Sequence, residues 1–338
     1  MSAQGLQRVH GGTDALGAAR FDFSTNSNAV GPCPQALAAV QAADATRYPD
    51  AAYSALRAAL AAFHGVVPWR IVLAGSASEF IFRTSAWVAR QGGRTVYVPA
   101  HAYGDYLHGA QAWGLERVDA PDAAALVWAC EPSSPLGQAH GGWPDRMGQV
   151  GGPVVVLDGA YAPLRLQSAP SLDHAQREGV WQLFSPNKAL GLTGVRAAYA
   201  VAPVHAQDAA ARLDTLAPSW VLGAHGESML RAWTQPATQQ WLENSLVLLR
   251  EWKARQQALL QSLGWVCQPS DANFFCARPP APLDLAALRS AGIKLRDATS
   301  FGLPGWYRLG TLAPDAQEAL HAALLAQGGD NTHPSVPV

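Results

Sequence analysis

Lysine is scarce in this chain. Of its 24 Lys and Arg residues only Lys188, Lys253 and Lys294 are lysine, so a lysine in a chemically pointed setting stands out. Lys188 lies in Ser185-Pro-Asn-Lys188-Ala-Leu-Gly-Leu-Thr-Gly194-Val-Arg196, directly after the apolar run Trp181-Gln-Leu-Phe. An amine placed there can form a Schiff base with a carbonyl if its neighbours keep it partly unprotonated. Lys253 falls on a helical pattern and Lys294 beside Arg296, and both are expected in solvated positions. Thirty residues before Lys188, the run Val154-Val-Val-Leu ends in Asp158-Gly-Ala-Tyr161. An Asp at that point can hold a proton on a pyridine nitrogen while the phenol hydrogen-bonds an oxygen of the same ring. Upstream, Leu73-Ala-Gly75-Ser76-Ala77-Ser78-Glu79 passes from strand through small residues into a helix, whose free N–H groups and hydroxyls suit a phosphate. The Asp and phenol contacts are the two that make pyridoxal phosphate an electron sink, and the small-residue loop, Asp-x-x-Tyr and Ser-x-x-Lys in that order are more specific than any one of them.

These residues need a scaffold that brings them to one edge. Six apolar runs predict buried strands: Ile71-Val-Leu-Ala, Thr95-Val-Tyr-Val, Leu126-Val-Trp-Ala, Val154-Val-Val-Leu, Trp181-Gln-Leu-Phe and Ala197-Ala-Tyr-Ala-Val. Helix-period stretches lie between several of them, at Ser54 to His64 and Glu79 to Arg90. The alternation predicts an α/β domain over residues 45–205 with a mainly parallel central sheet, which places ligands at the carboxyl ends of its strands. From Gln239 to Leu263 the spacing of Trp241, Leu246, Leu249, Trp252, Leu259, Leu260 and Leu263 predicts one long amphipathic helix bridging two lobes. Strand patterns at Trp265-Val-Cys, Asn273-Phe-Phe-Cys and Trp306-Tyr-Arg-Leu-Gly, with helical patterns at 283–290 and 315–325, predict a smaller α+β domain. Residues 1–44 and 206–327 are expected to supply the amino-terminal segment, the connecting helices and this smaller domain, and 328–338 has the composition of a disordered tail.

Composition narrows the function. The formal net charge is −1, which offers no field for a polyanion and argues against nucleic-acid binding. No apolar run approaches the roughly 20 residues that cross a bilayer, and the start Met1-Ser-Ala-Gln-Gly lacks the pattern of a signal peptide, so a cytoplasmic protein away from membranes is expected. Cys33, Cys130, Cys267 and Cys276 show neither CxxC nor metal-ligand spacing; they are expected as free buried thiols, and no metal site is expected. His64, His101, His108, His140 and His225 show no pairing pattern and are expected in structural roles. Low charge (14%) and twelve tryptophans hint at surface covered by another subunit.

Over nearly its whole length the chain resembles the fold type I pyridoxal-phosphate enzymes of the class I/II aminotransferases, with the pattern of histidinol-phosphate aminotransferase and its relative threonine-phosphate decarboxylase of the cobalamin pathway. The resemblance rests on Asp22-Phe-Ser-Thr-Asn26-Ser-Asn28, Arg47-Tyr48-Pro49, Gly75-Ser-Ala-Ser-Glu79, Pro99-Ala-His-Ala-Tyr103, Glu131-Pro-Ser-Ser134-Pro-Leu-Gly137, Asp158-Gly-Ala-Tyr161, the Lys188 segment and Tyr307-Arg308. It implies Lys188 as the Schiff-base lysine and proton shuttle, Asp158 on the pyridine nitrogen, Tyr161 on the 3-oxygen and Tyr103 stacked on the ring. Phosphate would be held at Ser76, Ala77 and Ser78, by Ser185 and by Arg196, with Tyr48 reaching in from the neighbouring subunit of a homodimer. Arg308 would grip the substrate carboxylate, and Asn26 and His10 would contact substrate.

One segment departs from the family pattern. Where the family usually has Asn-Pro-Asn-Asn-Pro-Thr-Gly, an Asn that donates to the 3-oxygen is replaced by Ser134, whose shorter side chain is expected to reach only through water and to alter the tuning of the site. The loss of that Asn also raises a non-catalytic fold relative as an alternative, against which stand Lys188, Asp158, Tyr161 and Arg196. A nucleotide-binding Rossmann enzyme is disfavoured because no G-x-G-x-x-G follows the first strand. Among reactions, the resemblance implies an aminotransferase acting on an amino acid or phosphorylated amine, with 2-oxoglutarate as a candidate acceptor. The alternative is the decarboxylase, favoured by His10-Gly-Gly and the Asp22 segment; the pose of the bound substrate decides between them.

Overall fold

The computed structural model describes residues 10–329. All six anticipated strands are present, and a seventh joins them to make one sheet. From edge to edge it runs Ile71–Ala74, Ala198–Val201, Trp181–Phe184, Val154–Asp158, Leu126–Cys130, Thr95–Tyr97 and Glu116–Val118. Only Ala198–Val201 is antiparallel to its neighbours. The carboxyl ends of the other six therefore meet along one edge. The seventh strand is a short edge strand with Glu116 and Arg117 exposed, so it lacks the apolar run that marks the others.

Alternation along the strands gives the sheet two packed faces. Ile71, Leu73, Tyr199 and Val201 face one, with Leu190, Met229 and Leu249; Val72, Ala74, Ala198 and Ala200 face the other, with Phe80, Tyr106, Trp128 and Leu213. Helices Gln207–Thr215 and Ala224–Trp233, in the stretch where connecting helices are expected, contribute Leu213 and Met229, Leu230 and Trp233 to these cores beneath the large sheet. Pro34–Gln41 does the same from the amino-terminal segment through Ala36 and Val40.

The smaller lobe is an antiparallel sheet ordered Arg296–Asp297, Tyr307–Gly310, Phe274–Arg278 and Val266–Cys267, packed on Pro314–Gly329 through Phe275, Leu309 and Leu320. Phe21–Asp22 pairs in parallel with Ile293–Lys294, which ties the amino-terminal segment to this lobe. The last helix runs to Gly329, past the expected start of the tail at 328; residues 330–338 lie outside the described residues, as does the start 1–9.

The long helix spans Pro236–Ser262 and bridges the lobes, with Leu249 in a large-sheet core and Leu260 in the small-lobe core. Its buried stripe is Thr238, Leu242, Ser245, Leu249, Lys253, Gln256 and Leu260, and it carries more polar residues than the apolar spacing predicts. Lys253 is thus buried, not solvated. Its amine donates to the carbonyls of Ser270 and Ala272, the latter at 2.7 Å, and Gln256 donates to Gly310 O at 3.0 Å. Irregular backbone at the joint between the lobes needs partners, and these side chains supply them. Lys294 is also partly buried, paired with Asp14 at 2.7 Å. Of the cysteines, Cys33, Cys130 and Cys276 are buried and Cys267 is half-buried, all as free thiols.

His64 packs behind the Lys188 turn, its Nε2 2.8 Å from the Tyr199 hydroxyl and its ring 4.7 Å from Phe184. Burial pushes its pKa down to about 4 from 6.5. The unfolded chain therefore binds the extra proton between these values, so His64 favours the fold above pH 6.5 and that contribution is lost as the pH falls toward 4. Chemical denaturation at pH 7 and pH 5 is expected to show a larger loss of stability in the parent than in His64→Gln; equal losses would exclude this origin. No helix among the described residues is long and apolar enough to cross a membrane.

Candidate active site

The carboxyl edge of the sheet carries the sequence motifs on adjacent strand ends. Ala74 leads through Gly75 into the helix Ala77–Arg90, capped by Ser76, whose hydroxyl accepts the Glu79 N–H at 3.0 Å. Glu79 in turn accepts the Gly75 N–H at 3.2 Å and pairs with Arg83, fixing the turn. The amides of Ala77 and Ser78, in the first helical turn, have no acceptor within the helix and sit at its electropositive end. Ser76 is thereby committed as a cap.

Lys188 is on the turn after Trp181–Phe184. The amino-terminal segment pins that turn: Asn28 N–H donates to Lys188 O at 2.9 Å, Asn28 Nδ2 to Ala189 O at 3.1 Å, and Cys33 N–H to Leu190 O at 2.8 Å. Its Nζ lies 5.4 Å from the centre of the Tyr161 ring and makes no hydrogen bond or ion pair among the described residues. Nearby, the Ser185 hydroxyl is buried without a partner. Arg196 is exposed and makes no hydrogen bond or ion pair with any described residue, although its charge reaches Tyr103.

Asp158 ends the neighbouring strand and is buried. Burial pushes its pKa up, opposed by hydrogen bonds from the Tyr106 hydroxyl (2.6 Å) and the Ala160 N–H (2.9 Å) and by the charge of Lys188. Three residues on, the Tyr161 hydroxyl accepts from Asn26 Nδ2 at 3.3 Å, and Asn26 Oδ1 is buried without a partner. Tyr103 lies across the opening, its hydroxyl 3.1 Å from Ser78 Oγ and its own pKa raised by burial.

Arg308 reaches this edge from the small lobe. It is buried, with Nη1 donating to Ser134 Oγ at 3.0 Å, Nη2 donating to Ser24 O at 3.1 Å, and Nε unpartnered. The Ser134 hydroxyl is thus engaged by a direct bond to Arg308, a role the sequence does not suggest. Glu131, at the start of the same altered segment, is buried against Arg165 (2.7 Å) and Ser171, so its carboxylate anchors the loop and does not face the opening. A guanidinium fork on an anion is replaced poorly by an ammonium, and bonds to charged groups are worth about 1.5–3 kcal/mol. Arg308→Lys is therefore expected to lower kcat/KM about 10- to 100-fold for an anionic substrate; a change under about twofold would exclude Arg308 as the anion clamp.

His10 lies at the mouth, its ring 6.1 Å from that of Tyr103. The two glycines after it explain the path: a Cβ on Gly11 would meet Ser24 O at 2.0 Å, and Gly12 has φ +93° while donating to Ser24 Oγ at 2.8 Å. Tyr48 is apart from these residues, 78% exposed and stacked on Trp220 at 4.4 Å.

Two residues were not legible as site residues. Tyr106 bonds Asp158; its signal was the spacing Tyr103-x-x-Tyr106 at the start of Gly104–Ala112, which places the second ring beneath the first. Arg296 is the cross-strand partner of Arg308, and both guanidinium groups lie over the Phe301 ring, at 4.8 and 5.4 Å. Arg296 donates to Asp297 O at 2.6 Å and Ser300 Oγ at 2.7 Å.

The model of the family "Aminotransferase class I and II" matches residues 19–142 and 149–324. The chain belongs to that family. A curated histidinol-phosphate aminotransferase of Jannaschia sp. is 27% identical over 95% of this chain and 94% of its own length. Among solved structures, histidinol-phosphate aminotransferase from Sinorhizobium meliloti in complex with pyridoxal-5'-phosphate superposes with TM-score 0.69 at 21% identity, covering 89% of this chain and 88% of that one. L-threonine-O-3-phosphate decarboxylase from Porphyromonas gingivalis does so with TM-score 0.71 at 18% identity, covering 91% and 99%. These structures share the fold.

This aminotransferase-family chain is a pyridoxal-phosphate-dependent enzyme. Its residues fit that cofactor. An unpaired amine, a buried carboxylate, an orphaned buried hydroxyl at Ser185 and two free helix-start amides match an aldehyde, a pyridine nitrogen and a phosphate.

Proposed function

We propose that the chain transfers the amino group of a phosphorylated amine of the histidinol-phosphate class to a 2-oxo acid such as 2-oxoglutarate. The observation that carries this reading is Arg308, a buried guanidinium that reaches the carboxyl edge with its Nε unpartnered. An anionic group suits that position, a phosphate in the donor half-reaction and a carboxylate in the acceptor half-reaction. The curated relatives named histidinol-phosphate aminotransferase support it.

In this reading Lys188 holds the cofactor and moves a proton at the substrate's amine carbon. Asp158 keeps the positive charge on the pyridine nitrogen, and the Tyr161 hydroxyl, held by Asn26, donates to the 3-oxygen. Ala77 and Ser78 amides, Ser185 and Arg196 hold the phosphate, and Tyr103 covers the ring. When bound, pyridoxal phosphate supplies an electron-withdrawing ring that stabilises the charge left by the broken bond. Ser134 positions Arg308.

The second reading, decarboxylation of threonine phosphate, is favoured by His10 beside Tyr103, since an amino-terminal segment over the opening is what the sequence pattern of that branch implies. One experiment separates them. Incubation with histidinol phosphate plus 2-oxoglutarate, and separately with threonine phosphate, is expected to yield glutamate from the first and no carbon dioxide from the second. Carbon dioxide without glutamate would replace the aminotransferase reading with the decarboxylase. The exposed Tyr48–Trp220 stack supports a homodimer in which the pair is covered by a second copy, and we read the enzyme as cytoplasmic.

A further inference from the structure

Beneath the site, a second tyrosine is buried with nothing in the proposed reaction for it to do directly. Tyr106 is 1% exposed, and its hydroxyl donates to Asp158 Oδ2 at 2.6 Å while the Ala160 N–H donates to Oδ1 at 2.9 Å. Two donors on different oxygens fix the plane of the carboxylate, and each oxygen keeps a lone pair for a further partner. The tyrosine ring itself is held flat against Trp128, with centroids 4.8 Å apart and planes 9° from parallel, and Trp128 is fully buried in the strand beside Asp158. Tyr103 packs edge-on against it from the side of the opening, at 5.8 Å.

We infer that Tyr106 is a positioning residue for Asp158: its hydroxyl keeps the carboxylate charged and in one orientation inside a site that excludes water. The inference rests on the reading that Asp158 faces the cofactor nitrogen. Burial alone favours a neutral carboxyl, which could not hold a proton on the pyridine; a hydrogen bond given to the charged form opposes that. Burial also raises the phenol's own pKa well above the usual value, so Tyr106 stays a donor. The other titratable groups against the carboxylate are Lys188 and Cys130, and burial keeps the Cys130 thiol protonated. Trp128 acts as the platform that sets the reach of the hydroxyl.

Tyr106→Phe keeps the ring stack and removes only the hydroxyl, which makes it the variant of choice. Loss of a hydrogen bond to a charged group is expected to raise the dissociation constant of pyridoxal phosphate about tenfold or more. In an Asp158→Asn background the same change is expected to cost no more than about threefold, because the charge it serves is gone. The midpoint of the pH transition in the bound cofactor's visible band is expected to move to higher pH, since a less charged ring acidifies the Lys188 linkage less. Cofactor-free Tyr106→Phe is expected to melt within a few degrees of the cofactor-free parent. Equal losses of affinity in both backgrounds, an unshifted midpoint, or a collapse of the cofactor-free fold would assign the bond to packing and overturn the inference. If Asp158→Asn alone leaves affinity and spectrum unchanged, the reading of Asp158 fails first, and that outcome is distinguishable from a silent Tyr106→Phe beside an affected Asp158→Asn.

Discussion

Lys188→Ala is expected to abolish the visible cofactor band and to lower turnover by at least roughly 10⁴-fold, since it removes both the covalent attachment and the proton shuttle. Neither remaining lysine can take over. The Lys253 amine is bound to the carbonyls of Ser270 and Ala272 at the joint between the lobes, and Lys294 is paired with Asp14 on the amino-terminal segment. The Lys188 turn is pinned by backbone bonds from Asn28 and Cys33, which do not involve the side chain, so the variant is expected to fold normally. Turnover measured with the natural cofactor and with added small amines checks this. Activity within tenfold of the parent would show that the chemistry is not centred on Lys188.

Asp158→Asn is expected to bind pyridoxal phosphate more weakly yet still to be loaded at saturating cofactor, while kcat falls about 10²- to 10³-fold, in the range for removing one buried electrostatic contact to developing charge. Phosphate contacts at Ala77, Ser78, Ser185 and Arg196 lie elsewhere and persist. The isosteric amide keeps both contacts if its oxygen accepts the Ala160 N–H and its NH2 donates to the Tyr106 oxygen, so the fold around it is expected to survive. Cofactor content after alkaline release, set against kcat, checks the prediction; a rate within about twofold of the parent would make Asp158 a structural residue only.

Much of this site was readable because the large sheet is parallel. Buried parallel strands need continuous apolar runs, and a polar residue directly after such a run, as at Asp158 or Ser185, must lie at the carboxyl edge. Glu116–Val118 escaped because an edge strand faces solvent and carries charge. Lys253 and Gln256 escaped for the opposite reason: they are buried on the long helix by loop carbonyls and amides from distant parts of the chain, and no local period encodes those partners. Connecting helices are readable in residues 206–233 from chain order, but Met229 and Trp233 take their places from the shape of the large-sheet core, which chain order does not encode. Arg296 stands beside Arg308 only through antiparallel register, which the sequence does not state. Ser134 is a case where the substitution was visible and its partner was not: the hydroxyl bonds Arg308, 174 residues away.

The most direct test of the account is chemical. Purified enzyme loaded with pyridoxal phosphate, reduced with borohydride and digested, should yield a single pyridoxyl-modified peptide carrying Lys188, with loss of the visible band. Modification of Lys253 or Lys294 in its place, or a band that borohydride does not bleach, would contradict the assignment of Lys188 as the residue on which the site is built.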